Sequence, residues 1–173
     1  MKIILSGYMG SGKTVVGKSL AEKIGVKYMD LDEEISKWEG KNIPDIFKES
    51  GEIYFRRKEG EVLQEILKND NSVVLSLGGG TPCYGKNLQL IKDDEDSVLI
   101  YLKTDLQELL RRLSEEKDQR PVISHLGSFE ALEDFVRKHL YERSFYYNQS
   151  EIILSTEGKS VEEVVNAISE KLK

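Results

Sequence analysis

Cysteine occurs once in 173 residues, as Cys83, so no internal disulfide framework can hold this chain together. Histidine occurs twice, as His125 and His139, and no Cys/His spacing matches a zinc site. Proline occurs three times, as Pro44, Pro82 and Pro121, each outside the strongly periodic segments. No apolar run approaches the roughly 18 residues that span a bilayer. The opening run Lys2–Ser6 meets Gly7 at once, which reads as a strand and not as a signal peptide. Positive charge is not in surplus either. A net charge of −6 argues against a general nucleic-acid partner. The expected setting is therefore the cytoplasm, with a small-molecule partner and neither membrane nor nucleic acid. What the chain does have is 39 % hydrophobic and 32 % charged residues, the balance of an ordinary globular protein. Its length suits one domain, residues 1–173, that buries its own core. No apolar face is left over in the pattern, so a monomer is expected.

Short apolar runs alternate with longer amphipathic ones. Lys2–Ser6, Val26–Leu31, Val73–Leu77, Val98–Leu102 and Ile152–Leu154 read as strands. Helices are expected over Gly12–Ile24, Glu33–Trp38, Ile43–Glu49, Glu52–Lys68, around Asn87–Ile91, and over Leu106–Leu113, Phe129–Tyr147 and Val161–Leu172. Glu115–Gly127 is polar and aperiodic and reads as a loop. Continuous apolar strands alternating with helices imply an α/β fold, a parallel sheet covered on both faces. Ligands bind such sheets beyond the carboxyl ends of the strands.

Gly7-Tyr8-Met9-Gly10-Ser11-Gly12-Lys13-Thr14 follows the first strand and opens the first helix, and it matches the G-x-x-x-x-G-K-[ST] phosphate loop in sequence and in context. Glycines let backbone N–H groups turn toward phosphate oxygens, and the helix presents its positive end to the same anion. Lys13 can reach the β- and γ-phosphates, and the Thr14 hydroxyl can face Mg²⁺. Gly10, Ser11, Gly12, Lys13, Thr14 and Val15 are the nucleotide-binding candidates. The loop alone does not separate kinase, GTPase and ATPase, although no NKxD-like guanine-reading motif occurs.

Further candidates follow the strands. Asp30 and Asp32 end the second strand two residues apart, which would point both carboxylates one way. One could hold Mg²⁺ through its waters and the other could take the proton of an acceptor hydroxyl; alternatively Asp32 caps the next helix. Arg56 and Arg57 begin the long helix. A guanidinium there could clamp a carboxylate, or could lie on a solvated face with Glu52 and Glu59 as neighbours. Gly78-Gly79-Gly80 at a strand end permits close approach of a small polar ligand. Arg120 sits in the polar loop and Arg143 near the end of the following helix, where an arginine-bearing lid could close over a nucleotide. Cys83 reads as a packed thiol, and both histidines read as incidental.

Together these pieces resemble the shikimate kinase family along nearly the whole chain. Its pattern combines the GxxGxGKT loop, an Asp-x-Asp at the second strand, IxxIFxxxGExxFRxxE, a GGG after the third strand and an Arg-Pro in the lid. The chain supplies Ile43, Ile46, Phe47, Gly51, Glu52, Phe55, Arg56 and Glu59 at the central motif, and Arg120-Pro121 at the last. The resemblance implies a three-layer P-loop kinase fold with five parallel strands, a mobile lid at about 115–127 and an acceptor-binding helical segment at about 32–60. It implies transfer of the ATP γ-phosphoryl to the 3-hydroxyl of shikimate, with Mg²⁺ near Thr14 and Asp30. Lys13, Asp32 and Arg120 would be catalytic. Asp32, Arg56, Gly78, Gly79, Gly80 and Arg143 would hold shikimate between Phe47 and Phe55. Arg111 or Arg112, of which Arg112 is preferred, would stack on adenine, and Arg120 would also contact the nucleotide.

The chain departs from that pattern at three places. Phe145 stands where the family usually has a proline, so the helix carrying Arg143 is expected to run on without a kink. Thr81-Pro82-Cys83 follows the glycines in place of a small residue and Val, so that loop is expected to differ. Val122-Ile123 replaces a Leu-Leu pair in the lid, a mild change.

Overall fold

The computed structural model describes residues 1–69, 71–116 and 121–172. Five parallel strands, β1 (Lys2–Ser6), β2 (Lys27–Asp30), β3 (Val73–Ser76), β4 (Ser97–Lys103) and β5 (Ile152–Ser155), form one sheet in the order β2-β3-β1-β4-β5. The helices are α1 (Lys13–Ile24), α2 (Leu31–Glu39), α3 (Ile43–Lys68), α4 (Asn87–Asp93), α5 (Leu106–Glu115), α6 (Pro121–Ser124), α7 (Phe129–Tyr147) and α8 (Val161–Lys171). A short 3₁₀ turn, Thr81–Cys83, follows the three glycines.

The central strand shows why both faces must be covered. Ile3 and Leu5 point into a core shared with Val16 and Leu20 of α1 and Val164 and Ile168 of α8. Ile4, between them, points the other way, into a core with Leu63 of α3 and Ile91 of α4. A third cluster joins Tyr8 of the phosphate loop to Leu109 and Leu113 of α5 and to Leu132, Val136 and Tyr147 of α7. That cluster anchors α5 and α7 beside the nucleotide loop.

Helix ends follow from local chemistry. Asn42, Asp105, Ser128 and Ser160 each accept a backbone N–H at a helix start, and Ser160 forms a reciprocal capping box with Glu163. Gly51, at φ 82° and ψ 173°, interrupts α3, which explains why its two halves read as separate helices.

Three expectations change. β2 ends at Asp30, and Asp32 lies in the first turn of α2, so strand alternation does not align the two carboxylates. Asp30, and not Asp32, caps α2, accepting from the backbone N–H groups of Asp32 at 3.0 Å and Glu33 at 3.3 Å. Part of the expected Glu115–Gly127 loop is the short helix α6, because Ile123 inserts fully buried into the α5–α7 cluster. Arg120 lies outside the described residues. No helix among the described residues is long and apolar enough to cross a membrane.

Gly17 decides how closely α1 approaches the sheet. A Cβ there would lie 2.6 Å from the Tyr28 ring and 3.1 Å from the Ser76 hydroxyl. Alanine normally stabilises a helix interior by about 1 kcal/mol over glycine, but overpacking costs about 1–3 kcal/mol. Gly17→Ala is therefore expected to lower stability by up to about 2 kcal/mol in urea unfolding.

Candidate active site

Strand β1 delivers the chain into a loop whose glycines Gly7, Gly10 and Gly12 have φ of 152°, 81° and 90°. At Gly7 a Cβ would meet the Ser11 Oγ at 2.7 Å and the Leu102 carbonyl at 2.9 Å, so only glycine closes the turn. Gly12 caps α1 with no side-chain hydrogen bond, and the first turn of α1 carries no acidic residue. The amides at that end therefore keep their positive field for an anion. Lys13 Nζ donates to the carbonyls of Gly7 at 2.8 Å and Tyr8 at 3.0 Å, which holds the ammonium over the loop.

This loop walls a cleft of about 440 Å³. Gly10, Gly12, Lys13, Thr14, Val15, Asp30, Asp32, Gly78, Gly79 and Arg112 all line it. Arg112 is fixed by donating Nη1–H to the Gly10 carbonyl at 2.9 Å and Nε–H to Glu108 at 2.6 Å. Arg111 instead pairs with Glu108 and Glu115 on the exposed side of α5. Ser11 lies buried beneath the loop; its N–H bonds the Tyr8 carbonyl at 3.1 Å and its hydroxyl has no hydrogen-bond partner among the described residues.

A second cleft of about 320 Å³ adjoins the first. The two share Met9, Asp32, Gly78 and Gly79 as a common wall. The second is lined further by Phe47, Phe55, Arg56, Glu59, Gly80, His139 and Arg143. Phe47 and Phe55 stack at 4.6 Å between centroids.

Each of the three glycines yields to a functional neighbour. A Cβ on Gly78 would approach the Thr81 hydroxyl at 3.0 Å and the Asp32 carboxylate at 3.2 Å. On Gly79 it would meet the Arg143 guanidinium at 3.1 Å, and on Gly80 the Arg56 guanidinium at 2.9 Å. None of the three has positive φ. Their absent side chains, rather than unusual backbone angles, let both guanidinium groups converge there.

Arg56 takes its direction from Glu59, which is fully buried. Its Nη1 donates to both Glu59 oxygens at 3.1 and 3.0 Å, and Glu52 lies 3.6 Å from its Nε. Glu59 also accepts from the Thr81 hydroxyl at 2.7 Å and the Asn87 amide at 3.5 Å. The Tyr84 ring covers the guanidinium at 3.8 Å. Arg56 is thus the inward residue of its pair, while Arg57 projects into solvent against Glu61.

Arg143 reaches the same place from α7, which runs unbroken to Tyr147, with Phe145 exposed. The Tyr147 hydroxyl donates to the Gly79 carbonyl and holds α7 against the glycine loop. The departure Thr81-Pro82-Cys83 folds as the 3₁₀ turn and supplies the Thr81 donor to Glu59. Burial pushes the Cys83 thiol up to about 11, which suits a packed residue and not a nucleophile.

Asp32 lies where the clefts meet. Burial and the negative charges of Asp30 and Glu59 raise its carboxyl to about 6, against the pull of Lys13 and Arg56. The sequence pattern missed the burial of Glu59 and the cleft position of His139. A mark of the latter was available: His139 and Arg143 are four residues apart and share a helix face.

The chain is similar to known proteins along nearly its whole length. A family model described as Shikimate kinase matches residues 9–173. A shikimate kinase from Flavobacterium psychrophilum is 42 % identical over 167 residues, covering 96 % of each chain. The crystal structure of shikimate kinase from Bacteroides thetaiotaomicron superposes with a TM-score of 0.91 at 34 % identity, covering 99 % of this chain and 98 % of that one. The enzyme from Acinetobacter baumannii in complex with shikimate gives 0.86 at 31 % identity, covering 99 % and 92 %.

Truncating Glu59 leaves the Arg56 charge without its buried partner, so Glu59→Ala is expected to cost about 3–5 kcal/mol in denaturant unfolding. Glu52→Ala, at the exposed end of the same guanidinium, is expected to cost less than about 1 kcal/mol.

Proposed function

The chain belongs to the shikimate kinase family, and from that premise we propose how its residues divide the work of moving the ATP γ-phosphoryl to shikimate. It is an ATP-dependent kinase that phosphorylates shikimate. The observation that carries the residue assignments is the wall shared by the two clefts, where Asp32, Gly78 and Gly79 face both. A phosphoryl group held by the loop on one side can meet a hydroxyl held on the other without crossing bulk water.

On the nucleotide side, the amides of Gly10–Thr14 and the end of α1 would cradle the phosphates, with Lys13 turning from the loop carbonyls toward the transferring group. Ser11 supports the loop from beneath. Val15 and Arg112 border the same cleft, and Arg112 is the residue we assign to the adenine end. Arg120, outside the described residues, is assigned by its Arg-Pro motif to the lid.

The Thr14 hydroxyl and the Asp30 carboxylate are hard oxygen donors bordering that cleft, and they fit Mg²⁺. Asp30 caps α2 through Oδ1, and its Oδ2 accepts from the Tyr28 hydroxyl at 3.5 Å, so the residue borders the cleft with its carboxylate already oriented. When bound, the ion would neutralise phosphate charge. Among the described residues no cluster of His, Cys, Asp or Glu forms a closed cage, which suits an ion that takes most of its ligands from water and phosphate.

On the acceptor side, Arg56 and Arg143 would grip the shikimate carboxylate where they converge at Gly80, and the ring would lie between Phe47, Phe55 and the glycine backbone. Asp32 would accept the proton of the 3-hydroxyl. A carboxyl near pH 6 is charged at neutrality yet more basic than an exposed aspartate, as a general base requires. We place the enzyme in the cytoplasm as a monomeric P-loop kinase domain over residues 1–173.

Two variants separate these roles. Arg56→Ala is expected to abolish shikimate binding in calorimetric titration while ATP binding persists; equal loss of both would contradict the assignment. Asp32→Asn is expected to lower kcat by about 10²–10⁴-fold in an ADP-release assay, with ATP affinity retained.

A further inference from the structure

The acceptor cleft holds an ionisable side chain that the roles above leave unused. His139 lines it from α7, one turn before Arg143. Its Nδ1 lies 3.0 Å from the hydroxyl of Tyr8, a buried residue of the phosphate loop. The two rings meet edge to face at 5.5 Å, and Phe135 packs against the imidazole at 5.1 Å. The ring is therefore held in one orientation by contacts from two elements.

The same neighbours act on its charge. Burial pushes the Tyr8 hydroxyl far above its ordinary value, so the phenol keeps its hydrogen. Burial and the Arg143 guanidinium push His139 down to about 4, against a weaker opposite pull from Glu142, so the imidazole is neutral. A Tyr8 O–H donated to Nδ1 across the 3.0 Å contact selects the tautomer that carries its N–H on Nε2. With Nδ1 turned to Tyr8, Nε2 is the nitrogen left for the cleft.

We propose that His139 is a further acceptor-binding residue, donating Nε2–H to a hydroxyl oxygen of shikimate, with Tyr8 as its positioning residue; this rests on the acceptor assigned above. A hydroxyl is the matching group because both guanidinium groups suited to an anion converge at Gly79–Gly80. A neutral donor orients a hydroxyl without competing for the carboxylate. Because Tyr8 belongs to the phosphate loop, one hydrogen bond ties the imidazole's orientation to the nucleotide side.

The test compares His139→Gln, His139→Asn and His139→Ala with the parent enzyme. A glutamine amide reaches the place of Nε2, whereas an asparagine reaches only that of Nδ1. Ala and Asn are expected to raise the shikimate KM about 5–10-fold, and Gln to stay within about twofold. The ATP KM and kcat are expected to move by less than about twofold in all three. Tyr8→Phe is expected to raise the shikimate KM about 2–5-fold. Thermal midpoints check folding. In the parent protein, ¹⁵N spectra of the two histidines are expected to show His139 as the neutral Nε2–H tautomer, with its Nε2 signal shifting when shikimate is added without nucleotide. An unshifted Nε2 signal would overturn the proposal even where variants fail to fold. So would an unchanged shikimate KM in Ala and Asn, or equal rises for shikimate and ATP. If the parent enzyme did not turn over shikimate at all, the acceptor assignment would fail instead.

Discussion

The Glu59 carboxylate, fully buried, receives Arg56 from its own helix, Thr81 from the turn after the glycines, and Asn87 from the start of α4. A buried carboxylate is costly unless its oxygens are satisfied. Here satisfying it fixes three segments relative to one another. Arg56 cannot rotate to solvent without leaving that charge unpaired, so its Nη2 stays directed at Gly80. The aromatic face of Tyr84 closes one side of the guanidinium and Glu52 lies at the other end. The geometry of the acceptor cleft is a consequence of this arrangement more than of any single cleft residue.

The nucleotide side is built differently, chiefly from backbone. Three glycines with left-handed or near-extended positive φ, an uncapped helix start and no carboxylate in the first turn leave amides as the main contacts. The parallel sheet brings the two constructions together. β3 lies next to β1 and in register with it, so the glycines after Ser76 emerge beside the loop after Ser6. Leu77 N–H bonds the Leu5 carbonyl at 3.0 Å and extends that register up to the site. The Tyr147–Gly79 and Tyr8–His139 hydrogen bonds then tie α7 to both loops.

Much of this was legible in the sequence because it depends on local pattern. The phosphate loop, the alternation of strands and helices, and the resemblance to shikimate kinases all follow from short-range spacing. Asp30 and Asp32 reach one cleft, although through a helix cap and not through strand alternation. Glu59 was harder to place. Its spacing from Arg56 fits an exposed i,i+3 pair equally well, and only Thr81 and Asn87, 22 and 28 residues away, bury it. His139 was harder still, since its partner Tyr8 lies 131 residues distant. The unkinked run past Phe145 was foreseen, but that Arg143 still meets Gly79 depends on Tyr147 packing in the α5–α7 cluster.

The central claim is that the cleft fixed by Glu59 and Arg56 receives shikimate and presents it to a phosphoryl group across Asp32. Its most direct test is ADP release from ATP and Mg²⁺, with shikimate, gluconate and nucleoside monophosphates compared as acceptors. Shikimate alone is expected to stimulate ADP release strongly. ATP binding without stimulation by shikimate, or equal stimulation by gluconate or a nucleoside monophosphate, would contradict it.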